Sequence, residues 1–156
     1  MRAPSRLFPL LFLLTALSAG AEVLQGRVTG IADGDTLTVL VDRKQIKVRL
    51  LEIDAPESKQ PFGTRSRQSL GEMCAGKTAT VKWTKKDNRG RILGRVYCGG
   101  IDTSAEQVRR GMAWVFDRYV TDRSLYEVQS AAKVARLGLW SDAAPVPPWE
   151  WRRSKR

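Results

Sequence analysis

The stretch V-R-L-L-E-I-D-A-P-E, Val48 to Glu57, decides how this chain folds and where its chemistry lies. Its first residues alternate as in a half-buried strand, with Val48 and Leu50 on one face and Arg49 on the other. The strand then gives way to three carboxylates and to Pro56, which interrupts strand pairing. Acidic groups at the end of a core strand, in a chain with 27 Lys and Arg against 16 Asp and Glu, require an explanation.

The residues that precede this stretch predict its partner strand. Thr36 to Val41 alternates in part, and Asp42-Arg43-Lys44 is typical of a turn. Folding the hairpin about Arg43-Lys44 places residues opposite each other when their numbers sum to about 87, give or take two. Asp35 then falls near Glu52, with Asp54 just beyond. The D-G-D segment therefore meets the acidic end of the second strand.

Carboxylates that are held together repel one another, and a hard cation relieves that repulsion. Ca²⁺ accepts carboxylate and carbonyl oxygens together with water in a flexible geometry. Asp35 and Asp54, with a nearby main-chain carbonyl, would make a sparse calcium site that leaves room for substrate. The alternative is that D-G marks an ordinary turn and that the acids are solvated.

Arginines near the predicted acidic site add a second kind of chemistry. The fork of Arg49 suits bidentate binding of a phosphate, and Arg91 follows the turn Asp87-Asn88-Arg89-Gly90 at the start of another strand. Arginine after a turn is by itself an ordinary surface charge. Together with a cation and the spare carboxylate of Glu57, these groups favour phosphodiester hydrolysis, in which Glu57 takes a proton from the attacking water.

The composition excludes several other mechanisms. The chain contains no histidine, which removes Ser-His and Cys-His nucleophiles and histidine-based zinc sites. Its net charge of +11 suits a polyanion such as nucleic acid, an anionic envelope or an acidic polysaccharide, although a generally basic soluble surface is the alternative.

The N-terminus resembles a cleavable secretory signal. Arg2 and Arg6 precede the apolar run Leu7 to Leu17, and Ala19-Gly20-Ala21 fits the small-residue cleavage rule. We expect residues 1–21 to be removed, which takes away two positive charges and no acid and so lowers the net charge from +11 to +9. The protein would then be secreted or periplasmic, without stable membrane insertion; an uncleaved membrane anchor is the alternative.

The chain has two cysteines, Cys74 and Cys98, and their state depends on whether the protein is exported. An even cysteine count in an exported protein favours one disulfide, against two free buried thiols.

The order of the predicted elements indicates the fold class. Strands come first and helices later, which favours an α+β fold whose five short strands suggest a small antiparallel barrel. The predicted strands are Val28–Ile31, Thr36–Val41, Gln45–Leu50, Thr78–Trp83 and Ile92–Tyr97. The predicted helices are Phe62–Cys74, one from Thr103 to near Gly111 with a Thr103–Glu106 capping box, and one from Asp122 or Ser124 to a stop at Gly138. Residues 22–143 would form the domain, and residues 144–156 a Pro/Trp-rich basic tail with a mobile end.

Five motifs in this order resemble the staphylococcal nuclease family over about Val28 to Trp140. They are I-A-D-G-D-T (31–36), V-R-L-L-E-I-D-A-P-E (48–57), R-G-R (89–91), V-R-R-G-M-A-W-V (108–115) and L-G-L-W-S (137–141). The resemblance implies a five-stranded OB-type barrel with three helices. It also implies Ca²⁺-dependent hydrolysis of DNA and RNA that leaves 3′-phosphate and 5′-hydroxyl ends.

The motif match also implies a role for each candidate site residue. The implied roles are metal binding for Asp35, Asp54 and the main chain of Ala55, phosphate binding for Arg49 and Arg91, and general base for Glu57. The family often has threonine at Ala55, and Asn88, Arg89 and Asp117 also depart from its pattern. We therefore expect an intact catalytic set with an altered grip on substrate, for which Arg89 and Tyr119 are the candidate contacts.

Two further interpretations remain open at this stage. A non-catalytic OB-fold protein binds single-stranded nucleic acid through a basic groove and aromatic side chains. Retention of Asp35, Asp54, Glu57, Arg49 and Arg91 speaks against that alternative. A calcium-dependent envelope-binding protein would rest only on charge and export, and a monomer is the default expectation in each case.

Overall fold

The computed structural model describes residues 20–156. The predicted signal therefore lies outside the described residues, apart from its last two positions. The strands are β1 (Glu22–Asp33), β2 (Thr36–Val41), β3 (Lys44–Leu50), β4 (Ile53–Asp54), β5 (Thr78–Lys86), β6 (Ile92–Cys98), β7 (Ile101–Asp102) and β8 (Trp114–Val115). The helices are α1 (Gly63–Cys74), α2 (Thr103–Arg109), α3 (Ser124–Val134), a 3-10 turn (Gly138–Ser141) and α4 (Pro148–Ser154).

The main sheet closes on itself as a five-stranded barrel. Its strand order is β3-β2-β1-β5-β6, and β3 pairs back onto β6. This confirms the α+β class and the OB-type barrel, with one correction: the closing pair β3–β6 is parallel, whereas the other barrel pairs are antiparallel. Strand β1 is far longer than predicted because irregularities near Gly30 and Ala32 let it bend from β5 to β2.

The hairpin that places the acidic residues has the predicted register. Thr36 pairs with Arg49, so paired residue numbers sum to 85, within the expected margin of two. The turn contains only Asp42 and Arg43, whose φ values of 47° and 66° fit the left-handed turn that matches strand twist. Lys44, expected in the turn, instead begins β3.

The residues of β2 and β3 that alternation predicts to point inward pack in or against the barrel core, although Val41 and Ile46 among them are only partly buried. Leu37, Val39, Val48 and Leu50 are fully buried, which confirms the alternation pattern. Helix α1 packs against β1, and its last residue, Cys74, forms the predicted disulfide with Cys98, with Cα atoms 5.3 Å apart.

Three details of the helices differ from prediction. The cap of α2 is Asp102, whose carboxylate accepts from the backbone N–H groups of Ser104 and Ala105, whereas the capping-box candidate Glu106 binds Arg109 and Arg110. Helix α3 ends at Val134, before the expected stop at Gly138. The tail, of which only the end was expected to be mobile, contains a fourth helix, α4, beyond the three that were predicted. Among residues 20–156, the helices are all too short or too polar to cross a bilayer.

Candidate active site

Asp35 and Asp54 converge at the open end of the β2–β3 hairpin. Arg49 on β3 donates from Nη2 to Asp35 Oδ2 at 3.1 Å and to Asp54 Oδ1 at 3.0 Å. Asp35 lies in the turn between β1 and β2, and Asp54 lies on β4. Carboxylates from separate segments thus share one donor nitrogen, which places them close enough to act on one ligand.

The loop that carries Asp35 is fixed by further hydrogen bonds. The Asp35 N–H donates to Asp33 Oδ1 at 3.0 Å, and the Ala55 N–H donates to Asp35 Oδ2 at 2.9 Å. The buried side chain of Gln107 donates from Nε2 to the Gly34 carbonyl at 2.7 Å and to the Ser66 carbonyl at 3.0 Å. Helices α1 and α2 therefore hold the D-G-D turn in place.

Gly34 is required in this turn because no side chain fits there. A Cβ at position 34 would lie 1.8 Å from Ser66 Oγ and 2.8 Å from the Ala55 Cβ. We expect Gly34→Ala to destabilise the protein by about 1–3 kcal/mol, because the turn must shift away from α1. Chemical denaturation measures this change; Gly71→Ala, where an added Cβ meets nothing within 4 Å, is the control. Equal stability of the two variants would contradict the close packing.

Burial and mutual repulsion perturb the acidic groups. Burial, reinforced by the charge of Asp35, raises the pKa of Asp33 to about 6. Burial also raises the pKa of Asp54, where the charge of Asp35 adds to the effect while Arg152 and Arg49 oppose it. Crowded carboxylates of this kind favour a nearby cation.

Glu57 lies next to Asp54 at the edge of a cleft. Its Oε1 accepts a 2.7 Å hydrogen bond from Nη1 of Arg152, and its side chain is 41% exposed. The cleft has a volume of about 380 Å³. Asp35, Arg49, Asp54, Ala55, Glu57, Arg89, Arg91 and Tyr119, the predicted site residues, all line it.

Arg89 and Arg91 also line this cleft, and both lie in the connection between β5 and β6. Asp87 accepts from Arg91 Nε at 2.8 Å, and Gly90 closes the predicted turn by donating to the Asp87 carbonyl at 3.0 Å. Neither arginine forms a salt bridge with Asp54 within the described residues. The structure therefore brings them to the cleft but not into the Asp35–Asp54 cluster.

Tyr119 lies at the rim of the cleft and is 45% exposed. Its ring packs edge-on against Phe116 with centroids 5.1 Å apart, and the Arg118 guanidinium lies 5.5 Å from its centroid. The side chain of Asp117 accepts a 2.7 Å hydrogen bond from Tyr126 Oη on α3.

Comparison with known proteins shows the family to which the chain belongs. The model of the family described as staphylococcal nuclease homologue matches residues 47–142, which is more than half of the chain. The chain belongs to the staphylococcal nuclease family.

Several relatives of this family member are similar over most of their length. A protein named "Uncharacterized endonuclease" from Escherichia coli is 47% identical over 133 residues, covering 85% of this chain and 87% of the relative. A "Micrococcal nuclease" from Shigella flexneri is 42% identical over 155 residues, covering 92% and 88%. An "Uncharacterized endonuclease" from Haemophilus influenzae is 40% identical over 149 residues, covering 94% and 84%.

In this member of the staphylococcal nuclease family, the side chain of Glu52 does not join Asp35 as the hairpin register predicted. It has φ 69°, and its buried side chain binds Arg95 and accepts from the Thr121 and Asp122 N–H groups, each at 2.7 Å. Burial opposes ionisation, yet the hydrogen bonds from Thr121, Asp122 and Arg95 lower the pKa of Glu52. Glu52 thus ties the loop before α3 to β6 instead of joining Asp35.

Among residues 20–156, Arg152 contacts the acidic cluster directly in a way that the sequence did not predict. It reaches Asp54 and Glu57 from α4, almost a hundred positions away in sequence. The available signal was the tail sequence W-E-W-R-R-S-K-R, Trp149 to Arg156, whose aromatic residues mark it as able to pack on the domain.

Proposed function

We propose that this protein is a secreted or periplasmic Ca²⁺-dependent nuclease that hydrolyses phosphodiester bonds of DNA and RNA. One observation carries the proposal: Asp35 and Asp54, from separate segments, share one Arg49 nitrogen at 3.1 and 3.0 Å beside Glu57. Family membership and relatives named endonuclease and micrococcal nuclease support the same activity.

The acidic residues have the chemistry that a hard cation needs. Asp54 is 1% exposed and Asp35 is 5% exposed, and a cationic side chain, Arg152, already lies on Asp54. Within residues 20–156, no group of three or more His, Cys, Asp or Glu side chains is placed to hold a metal. Asp35 and Asp54 would be the two side-chain ligands of Ca²⁺. Because no third carboxylate of the described residues joins them, water and a main-chain oxygen, for which Ala55 is the candidate, would complete the coordination.

When bound, Ca²⁺ would polarise a phosphoryl oxygen. The protein's own groups would perform the remaining work. The guanidinium groups of Arg49 and Arg91 would bind the phosphate and neutralise the charge that develops on it. Glu57 would accept a proton from the attacking water. The new bond would join the water oxygen to phosphorus while the bond from phosphorus to the 5′ oxygen breaks. The leaving 5′ oxygen would take a proton from solvent water, which leaves a 3′-phosphate and a 5′-hydroxyl.

Charge and aromatic groups around the cleft would recruit the substrate. The net charge, +11 for the full chain and +9 once Arg2 and Arg6 are removed with residues 1–21, favours binding of a polyanion that weakens as salt concentration rises. Tyr119 offers an exposed ring for a base, with Arg118 beside it and Arg89 at the cleft wall. We expect the protein to act as a monomer.

A non-catalytic protein that binds single-stranded nucleic acid is the second candidate. It is favoured by the exposed Tyr119 ring, which has the charged groups of Arg118 and Lys85 at 5.5 and 6.0 Å from its centroid. Aromatic side chains and cations alone bind single strands without cleavage.

Cleavage of end-labelled DNA and RNA with added Ca²⁺ or with EDTA separates the two candidates. We expect products only with Ca²⁺, restoration of activity when Ca²⁺ is returned after EDTA, and product ends that carry a 3′-phosphate. Full activity in EDTA contradicts the metal requirement. Binding without cleavage under both conditions supports the second candidate.

A further inference from the structure

The guanidinium of Arg152 binds both oxygens of the Asp54 carboxylate. Nη2 donates to Asp54 Oδ2 at 2.7 Å, and Nη1 donates to Asp54 Oδ1 at 3.2 Å and to Glu57 Oε1 at 2.7 Å. Asp54 Oδ1 also accepts from Arg49. One side chain thus covers both oxygens of a proposed metal ligand and one oxygen of the proposed base.

Helix α4 presents Arg152 from a packed position. The Trp149 ring stacks on Phe116, with centroids 5.5 Å apart and an interplanar angle of 14°, and meets the edge of Trp114 at 5.8 Å. Before the helix, Gln60 Nε2 donates to the Val146 carbonyl at 2.6 Å. These contacts hold α4 beside the cleft, so that the Arg152 guanidinium lies within hydrogen-bonding distance of Asp54 and Glu57.

Two guanidinium groups already fill three of the about four lone-pair positions of the Asp54 carboxylate, because Oδ1 accepts from Arg49 and Arg152 and Oδ2 accepts from Arg152. Asp54 is almost fully buried, so its charge needs a partner, and Arg152 supplies one in the arrangement described. A divalent cation that coordinates Asp54 would compete with the guanidinium for these lone pairs and would repel it at close range. The bonds of Arg152 to Asp54 and Glu57 therefore subtract from the free energy of metal binding.

We propose that Arg152 is a tethered counter-cation that competes with the divalent cation for Asp54 and holds Glu57 while the metal is absent. The inference rests on the proposed function in one respect, that Asp54 is a metal ligand. It makes Arg152 a positioning residue, which sets the affinity of the site for Ca²⁺ through the two carboxylates that it binds.

Calorimetric titration of the purified protein with Ca²⁺, free of nucleic acid, tests the competition. We expect Arg152→Gln to lower the Kd for Ca²⁺ about tenfold, since charge-assisted two-point contacts no longer have to be broken. Arg153→Gln is the matched control: it removes the same charge from the next residue of α4, whose side chain is 71% exposed and pairs only loosely with Glu150 at 3.9 Å. Its Kd should stay close to that of the unaltered protein.

Thermal unfolding provides a second measurement that a merely structural role would not reproduce. Without metal, Arg152→Gln should lower Tm because buried Asp54 loses one of its two cationic partners and keeps only Arg49. At saturating Ca²⁺ the difference from the unaltered protein should shrink, since the metal replaces the guanidinium. A Tm loss that is equal with and without Ca²⁺ overturns the proposal.

The outcomes separate this inference from the proposed function. Equal Kd values for Arg152→Gln and Arg153→Gln, or weaker Ca²⁺ binding by Arg152→Gln, overturn the competition and leave the metal site standing. If neither the unaltered protein nor either variant binds Ca²⁺, the metal site and the competition both fail.

Discussion

Replacing Glu57 with glutamine is expected to lower kcat for DNA hydrolysis by about 10²–10⁴-fold, the usual contribution of a positioned general base. Glutamine keeps the size of the side chain and an oxygen that can accept from Arg152, but it cannot take the proton of the attacking water. Glu57 is 41% exposed and lies outside the buried core, so the fold should survive. Single-turnover cleavage of labelled DNA at saturating Ca²⁺ measures the loss.

The matched control for this change is Glu127→Gln on α3. Glu127 is an exposed glutamate away from the cleft, and the same substitution there should leave kcat unchanged. Circular dichroism and Tm should be alike for both variants. Turnover of Glu57→Gln near that of Glu127→Gln would remove Glu57 from the role of base.

The fold was predictable because its signals are local. Alternation in Thr36–Val41 and in the following strand fixed which face is buried, and a two-residue turn fixed the register. The parallel β3–β6 pair that closes the barrel joins residues 44 positions apart, such as Val48 and Ile92, and no local pattern encodes such a pairing. The bends in β1 were missed for a related reason, since they depend on pairing with two different strands.

The acidic cluster was predictable through the same register. Once Thr36 pairs with Arg49, Asp35 must lie beside the end of β3, close to where Asp54 follows. Glu52 belongs to the same stretch, but its positive φ turns it toward Arg95, which sequence alternation does not reveal. Arg152 was missed because its position depends on how the aromatic residues of α4 pack on the barrel.

Arg49→Lys is expected to lower kcat by about 10²–10³-fold even though the positive charge is kept. Arg49 donates from Nη1 to the carbonyls of Leu50 and Ile53, both at 3.2 Å, and from Nη2 to Asp35 and Asp54. A lysine ammonium is a single point with three donors and cannot bridge four acceptors in these directions. The carboxylates would lose their common donor, and the phosphate would lose a planar, two-point partner.

The control for this change is Arg67→Lys on α1, because Arg67 is exposed and uses its side chain for a single 3.1 Å bond from Nε to the Ile31 carbonyl. Both variants keep the net charge of the protein, so recruitment of DNA by the basic surface should be equal in a binding assay at fixed salt. A kcat loss confined to Arg49→Lys then reflects guanidinium geometry at the cleft. Normal turnover of Arg49→Lys would mean that charge alone suffices at this position, and the alignment of Asp35 with Asp54 through Arg49 would have no part in catalysis.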